Sequence, residues 1–177
     1  MLHLLEFTDG TFGSIGIGAP LNAVGTSVTL NTGSTPDEIA LKVQPSVTMQ
    51  VVGMCSENPY STSTGDFEWV LYNGTTALAT VATDVNRLYS TTSATTVCAY
   101  FPTAQTITAG GTYYAALKPT TTNNISIKYN AVADASYWAV YGGGAGTNYS
   151  SRTDGGAWSD TSTRRPTIWL LVSGVTT

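Results

Sequence analysis

Residues 66–81 read DFEWVLYNGTTALATV. Phe67, Trp69 and Leu71 recur at every second position, the period of a strand with one buried face. Asn73-Gly74 then supplies the residues that a type I′ turn needs, and a second strand returns. This stretch therefore predicts a β-hairpin, and the same rhythm runs outward from it in both directions. Upstream, EIALKV (38–43) aligns Ile39, Leu41 and Val43, and VTMQVVGMC (47–55) aligns Val47, Met49 and Val51. Downstream, RLYST (87–91), TVCAYF (96–101), TYYAALK (112–118), NISIKYN (124–130), SYWAVYG (136–142) and TIWLLVSG (167–174) are further strand candidates. ITAGGTYYAALKPTTTNNISIKYN (107–130) reads as two strands joined by a polar loop, with Pro119 and Asn123-Asn124 as breakers. No window carries a helical stripe, since DEIALKVQ is short and bounded by Pro36 and Pro45. About eight to ten strands with turn signals between them predict an all-β antiparallel sandwich, specifically a jelly roll.

A chain of 177 residues fits one domain. The expected division is an N-terminal arm or first strand over 1–25 and a β-sandwich over 26–177. In the first segment Phe7, Phe12, Ile15 and Ile17 are apolar, irregularly spaced and punctuated by Gly. They read either as a strand and loop tucked over the sandwich or as an arm docked on a neighbouring subunit.

Charged residues make up 10% of the chain, against about 25% in ordinary soluble domains, so the surface is largely hydroxyl and amide. The net charge is -4 and only Arg164 and Arg165 among the seven basic residues are adjacent, which argues against nucleic acid as a partner. No apolar run approaches the roughly 18 residues of a membrane span, so no membrane partner is expected. MLHLLEFTDG lacks the basic n-region and small-residue cleavage site of a secretory signal, which predicts a cytosolic product or a mature or truncated form. Cys55 and Cys98 sit in strand-like runs and are expected to be buried free thiols, ahead of a cross-sheet disulfide, because nothing in the sequence marks an oxidising compartment.

Catalytic chemistry is hard to assemble from these residues. Asp66 and Glu68 share a strand face and are the nearest carboxylate pair for glycan hydrolysis, but any solvent-facing strand shows the same. His3 is the single histidine, so a Ser or Cys nucleophile lacks a base, and no phosphate loop, dinucleotide fingerprint or zinc motif occurs. A non-enzymatic protein without cofactor or metal is expected; the loop acids Asp134, Asp154 and Asp160 are the calcium candidates to set against ordinary Asx turns. Asn73, Asn124 and Asn148 match the glycosylation sequon, as chance allows in so Ser- and Thr-rich a chain.

Aromatics are the richer signal. Tyr137, Trp138, Tyr141, Tyr149 and Trp158 crowd around the Gly-rich stretch GGGAGTNYSSRTDGGAW (142–158), where Tyr149, Arg152, Asp154 and Trp158 offer ring faces and polar groups for a glycan. The same residue types also anchor protein interfaces. In TRRPTIWLLVSG, Ile168, Leu170 and Val172 face one way, and Trp169 and Leu171 the other. A strand apolar on both faces is either central or covered by another subunit.

ITAGGTYYAALKPTTTNNISIKYN, followed by an aromatic strand and GGAWSDTSTRRPTIWLLVSG, resembles the β-sandwich accessory proteins of tailed-bacteriophage virions, the capsid decoration and fibre-type modules. The resemblance spans most of residues 38–174 and carries no catalytic motif. It implies a virion protein made in the host cytoplasm, independent of disulfides. Such a protein assembles on the capsid as a symmetric homo-oligomer such as a trimer, with the major capsid protein or other virion subunits as partners. Contacts would then be expected from Phe7, Phe12, Ile15, Ile17 and Trp169. The alternative is a carbohydrate-binding module or receptor-binding fibre domain using Tyr149, Arg152, Asp154 and Trp158.

Overall fold

The computed structural model describes residues 15–17, 26–57, 66–82, 96–131 and 149–176. His3, Phe7, Phe12, Asp134, Asn148, the aromatics at 137, 138 and 141, and the strand candidates at 87–91 and 136–142 lie outside the described residues. The chain is an all-β sandwich of antiparallel sheets, as its period-two patterning predicts.

One large sheet contains β1 (Ile15–Ile17), β13 (Ile168–Thr176), β4 (Thr48–Glu57) and β7 (Thr96–Ile107), in that order. The other has the order β11 (Ser159–Thr161), β10 (Tyr149–Arg152), β3 (Glu38–Val43), β8 (Tyr113–Pro119), β5 (Phe67–Asn73) and β6 (Thr76–Ala82). A third, smaller sheet joins β12 (Arg164–Pro166), β9 (Ile125–Ala131) and β2 (Thr26–Leu30). Prolines fall where a ladder tolerates a missing donor: Pro119 and Pro166 end their strands, and Pro102 lies on the edge strand β7.

The core forms where the inward faces meet. The six-stranded sheet contributes Ile39, Leu41, Phe67, Trp69, Leu71 and Leu117. Opposite them stand Val51, Met54, Ile168 and Leu170, and the small sheet adds Leu30, Ile125 and Ile127. Each fully buried side chain of this kind contributes roughly 1.5–3 kcal/mol. The alternation read from DFEWVLYNG is thus the alternation of the core, with Trp69 tilted against Phe67 at 5.6 Å between ring centroids.

Two close approaches depend on glycine. Between the pairs Val51↔Gln105 and Gly53↔Tyr100 the register of β4 against β7 shifts, so that residues 101–104 oppose residue 52 alone. A Cβ at Gly53 would lie 2.4 Å from the Ala99 carbonyl oxygen, a backbone atom that cannot swing away. At the β7–β8 turn, Thr108 donates its N–H to the Tyr113 hydroxyl at 2.9 Å, and a Cβ at Gly111 would strike the Tyr113 ring at 2.6 Å.

Two expectations are corrected. Cys55 and Cys98 are not free thiols: they stand opposite each other on β4 and β7 and form a disulfide. With a sequence separation of 43, the bond stabilises the fold by about 4 kcal/mol in the chain-entropy picture. The resemblance implied a protein independent of disulfides, and the chain carries this one. The turn of the 66–81 hairpin is shifted by one residue, because Asn73 pairs with Thr76 and leaves Gly74-Thr75 as the loop. Gly74 has φ 58°, the glycine-first requirement of a type II′ turn. Residues 15–17, from the segment read either as a first strand or as an arm, pair antiparallel with β13, Ile15 opposite Val172 and Ile17 opposite Leu170.

Candidate functional site

The side of the six-stranded sheet turned away from the core carries the densest polar and aromatic cluster among the described residues. Because Phe67, Trp69 and Leu71 point inward, Val70 and Tyr72 point outward; by the same alternation so do Glu38 and Ala40 on β3, and Tyr114 and Ala116 on β8. The small side chains Ala40 and Ala116, with Val70, make a low bed that larger neighbours can roof. Tyr72 and Tyr114 lie over it, and Trp158 folds down from the segment after β10.

The roof is specific in geometry. The Trp158 indole stacks on Tyr114 at 4.6 Å with a 12° interplanar angle and meets Tyr72 edge-on at 5.8 Å. Its indole N–H donates to the Gly74 carbonyl at 3.0 Å, so the hairpin turn and the Gly-rich stretch are tied to one ring. The Arg152 guanidinium lies 4.3 Å from the Tyr72 ring centroid and 4.4 Å from that of Trp158, within cation–π range. Arg152 stands directly opposite Glu38 in the ladder and its Nε donates to the Glu38 carboxylate, with both side chains under 5% exposed. The Tyr72 hydroxyl donates to the other Glu38 oxygen at 2.9 Å.

Electrostatics follow from this packing. Burial first, then the Glu38 carboxylate, push the Tyr72 hydroxyl far above its ordinary value, so it stays a neutral donor. Burial alone would lower Arg152, but the hydrogen bond and charge of Glu38 outweigh it and hold the guanidinium charged. Burial likewise raises Tyr114 and Tyr149. At the rim, Lys42 pairs with Asp160 at 2.7 Å.

The four residues expected to bind a glycan do not share one surface. Tyr149 and Arg152 are three apart on β10 and therefore point to opposite faces: Tyr149 is 2% exposed in the main core, edge-on to Tyr129. Arg152 is buried and engaged by Glu38 and two rings. Trp158 is half-buried, and Asp154 alone is fully at the surface, with φ 50° and its backbone N–H donated to the Asp37 carboxylate. Glu38, Tyr72 and Tyr114 complete the cluster and were not anticipated; the polar face of EIALKV and the outward parity of Tyr72 were the available signals.

The remaining candidates have structural partners. Asp66 is fully buried and accepts from Thr121 Oγ1 at 3.2 Å and Asn123 Nδ2 at 2.9 Å, which pins the β8–β9 loop to the start of β5. Glu68 faces Lys118 across the ladder at 3.8 Å. Asp160 accepts from Lys42 and Ser150. Among the described residues no group of three or more His, Cys, Asp or Glu side chains is gathered for a metal ion.

The second surface of note is the outer side of the four-stranded sheet. Trp169 stands opposite Cys55, which is bonded to Cys98, and Leu171 stands opposite Gly53, which in turn faces Tyr100. Leu171 is buried, Trp169 half-buried and Tyr100 59% exposed, so this face is apolar and reaches the surface. No protein family, curated protein or solved structure matches the chain.

Proposed function

We propose that the chain is a non-enzymatic virion structural protein, a decoration subunit that binds the capsid surface of a tailed bacteriophage. The observation that carries this reading is the outer face of β13. Ile168, Leu170 and Val172 fill the core, while Trp169 and Leu171 continue as apolar side chains on the other face, beside the exposed Tyr100. Apolar, aromatic and weakly charged surface suits burial against another subunit. A decoration subunit works by such burial: each bound copy stabilises the assembled shell by mass action, with no chemical step. The sparse charge of the chain and the virion-like rhythm of its sequence agree with this role.

The test is density-gradient fractionation of the native source with quantitative mass spectrometry. Co-migration with megadalton particles at hundreds of copies supports a decoration subunit, whereas a few copies per particle indicate a fibre. Recovery only in the soluble fraction overturns the virion reading.

A glycan-binding role is the second reading, favoured by the half-buried Trp158 ring that follows the exposed residues 154–157 in the chain. It predicts that Trp158→Ala abolishes retention on a glycan array, and an array on which the unsubstituted protein binds nothing removes it.

A further inference from the structure

We infer that the Cys55–Cys98 disulfide is a redox-controlled clasp on one half of an edge strand. β7 lies at the end of the four-stranded sheet, with β4 as its ladder partner. The register shift divides it into two halves. The half from 105 to 107 pairs with Met49–Val51, and the half from 96 to 100 pairs with Gly53–Glu57. The disulfide sits in the middle of the second half, flanked by Met54↔Ala99 and Ser56↔Val97. Only this half is held by a covalent bond as well as by its ladder. A bulge interrupts cooperativity along a strand, so the two halves are able to open separately.

The two sulfurs differ in access. Cys55 is 1% exposed, whereas Cys98 is half-buried. An incoming thiolate therefore attacks the Cys98 sulfur and expels the Cys55 sulfur as a thiolate into buried surroundings, which disfavour the charge. Closure runs in reverse, with a low-molecular-weight disulfide as oxidant. A Cys98 thiolate attacks it to form a mixed disulfide and release one small thiolate. Cys55 then attacks the Cys98 sulfur and releases the second. Two electrons pass to the small disulfide, and the two protons of the protein thiols end on the two small thiols.

Opening the clasp lets residues 96–100 leave β4. Val97 and Ala99 then come out of the core, and the 53–57 edge of β4 is bared for pairing with another strand. The reduced chain thus differs in surface from the oxidised one. The inference does not depend on the partner proposed above.

Amide hydrogen exchange of the full-length protein tests it, with and without a phosphine reductant. Reduction is expected to speed exchange over 96–100 by about tenfold or more and over 105–107 by less than about twofold. The variant C55A/C98A should reproduce the reduced pattern; if it does not fold, reduced wild type alone decides. Brief reduction followed by alkylation should label Cys98 ahead of Cys55. An equal rise in both halves, no rise in either, earlier labelling of Cys55, or two alkylatable thiols in untreated denatured protein would each overturn the clasp.

Discussion

On the six-stranded sheet the outer face is closed by the chain's own residues: Trp158, Tyr72 and Tyr114 roof a bed of Ala40, Val70 and Ala116, and Arg152 is neutralised by Glu38. On the four-stranded sheet the outer face carries Trp169, Leu171 and Tyr100 around a disulfide, with Tyr100 59% exposed. The two faces use the same residue types to different ends. The first has its ring faces and its buried cation matched internally, so it behaves as a second small core. The second leaves the Trp169 and Tyr100 rings partly exposed, residue types that also anchor interfaces. A cluster rich in Trp, Tyr and Arg is therefore not by itself a binding site; what decides is whether its hydrogen-bonding groups already have partners.

The largest expected effect separates a buried cluster from a surface one. Glu38→Ala leaves Arg152 charged and buried without its carboxylate, and should cost about 3–5 kcal/mol in urea unfolding. Replacing both residues by Met should recover much of that loss. A cost below about 1 kcal/mol would mean that the pair is solvated and the contrast between the faces is false.

Trp158→Ala and Trp169→Ala sharpen the contrast, since both rings are half-buried. The first removes the stack on Tyr114 and the bond to Gly74, and should destabilise the isolated chain by about 2 kcal/mol. The second should cost the isolated chain about 1 kcal/mol or less while weakening particle binding about tenfold or more in a sedimentation assay. If the two substitutions exchange effects, the roles of the faces are reversed.

The smallest effect is in pH. Tyr72, Tyr114 and Tyr149 all hold their protons more tightly in the folded chain than at the ordinary value of 10.0. Above that value the unfolded chain loses phenolic protons that the folded chain retains, so unfolding is favoured as pH rises; below it these groups leave stability unchanged. The urea midpoint should be flat from pH 8 to 9.5 and fall beyond about pH 10. Tyr72→Phe should lessen that fall, and an identical profile would show that the Tyr72–Glu38 contact does not persist in solution.

The fold was legible where a signal is local. Phe67, Trp69 and Leu71, or Ile39, Leu41 and Val43, declare their face within a few residues because the pleat has period two. Tyr149 was not legible: β10 has four residues, too few for alternation to stand out beside a run of glycines, and Tyr149 and Arg152 fell into one imagined surface although their parity places them on opposite sides. Glu38 and Arg152 are 114 positions apart and meet only through strand pairing. The disulfide was hidden for the same reason, since the β4–β7 register and its bulge are properties of the sheet and not of either strand.

Between Arg152 and Trp158 the chain is anchored at both ends, by Glu38 on one side and by Tyr114 and Gly74 on the other, while residues 154–157 are exposed. The positive φ of Asp154 and Gly155 turns the tip, and Gly156 N–H closes it on the Thr153 carbonyl at 2.9 Å. Lengthening such a segment adds only about 0.6 kcal/mol of closure entropy per doubling, because that entropy grows with the logarithm of loop length. A foreign peptide grafted between Gly155 and Gly156 would be displayed on a mount that its own scaffold already holds shut.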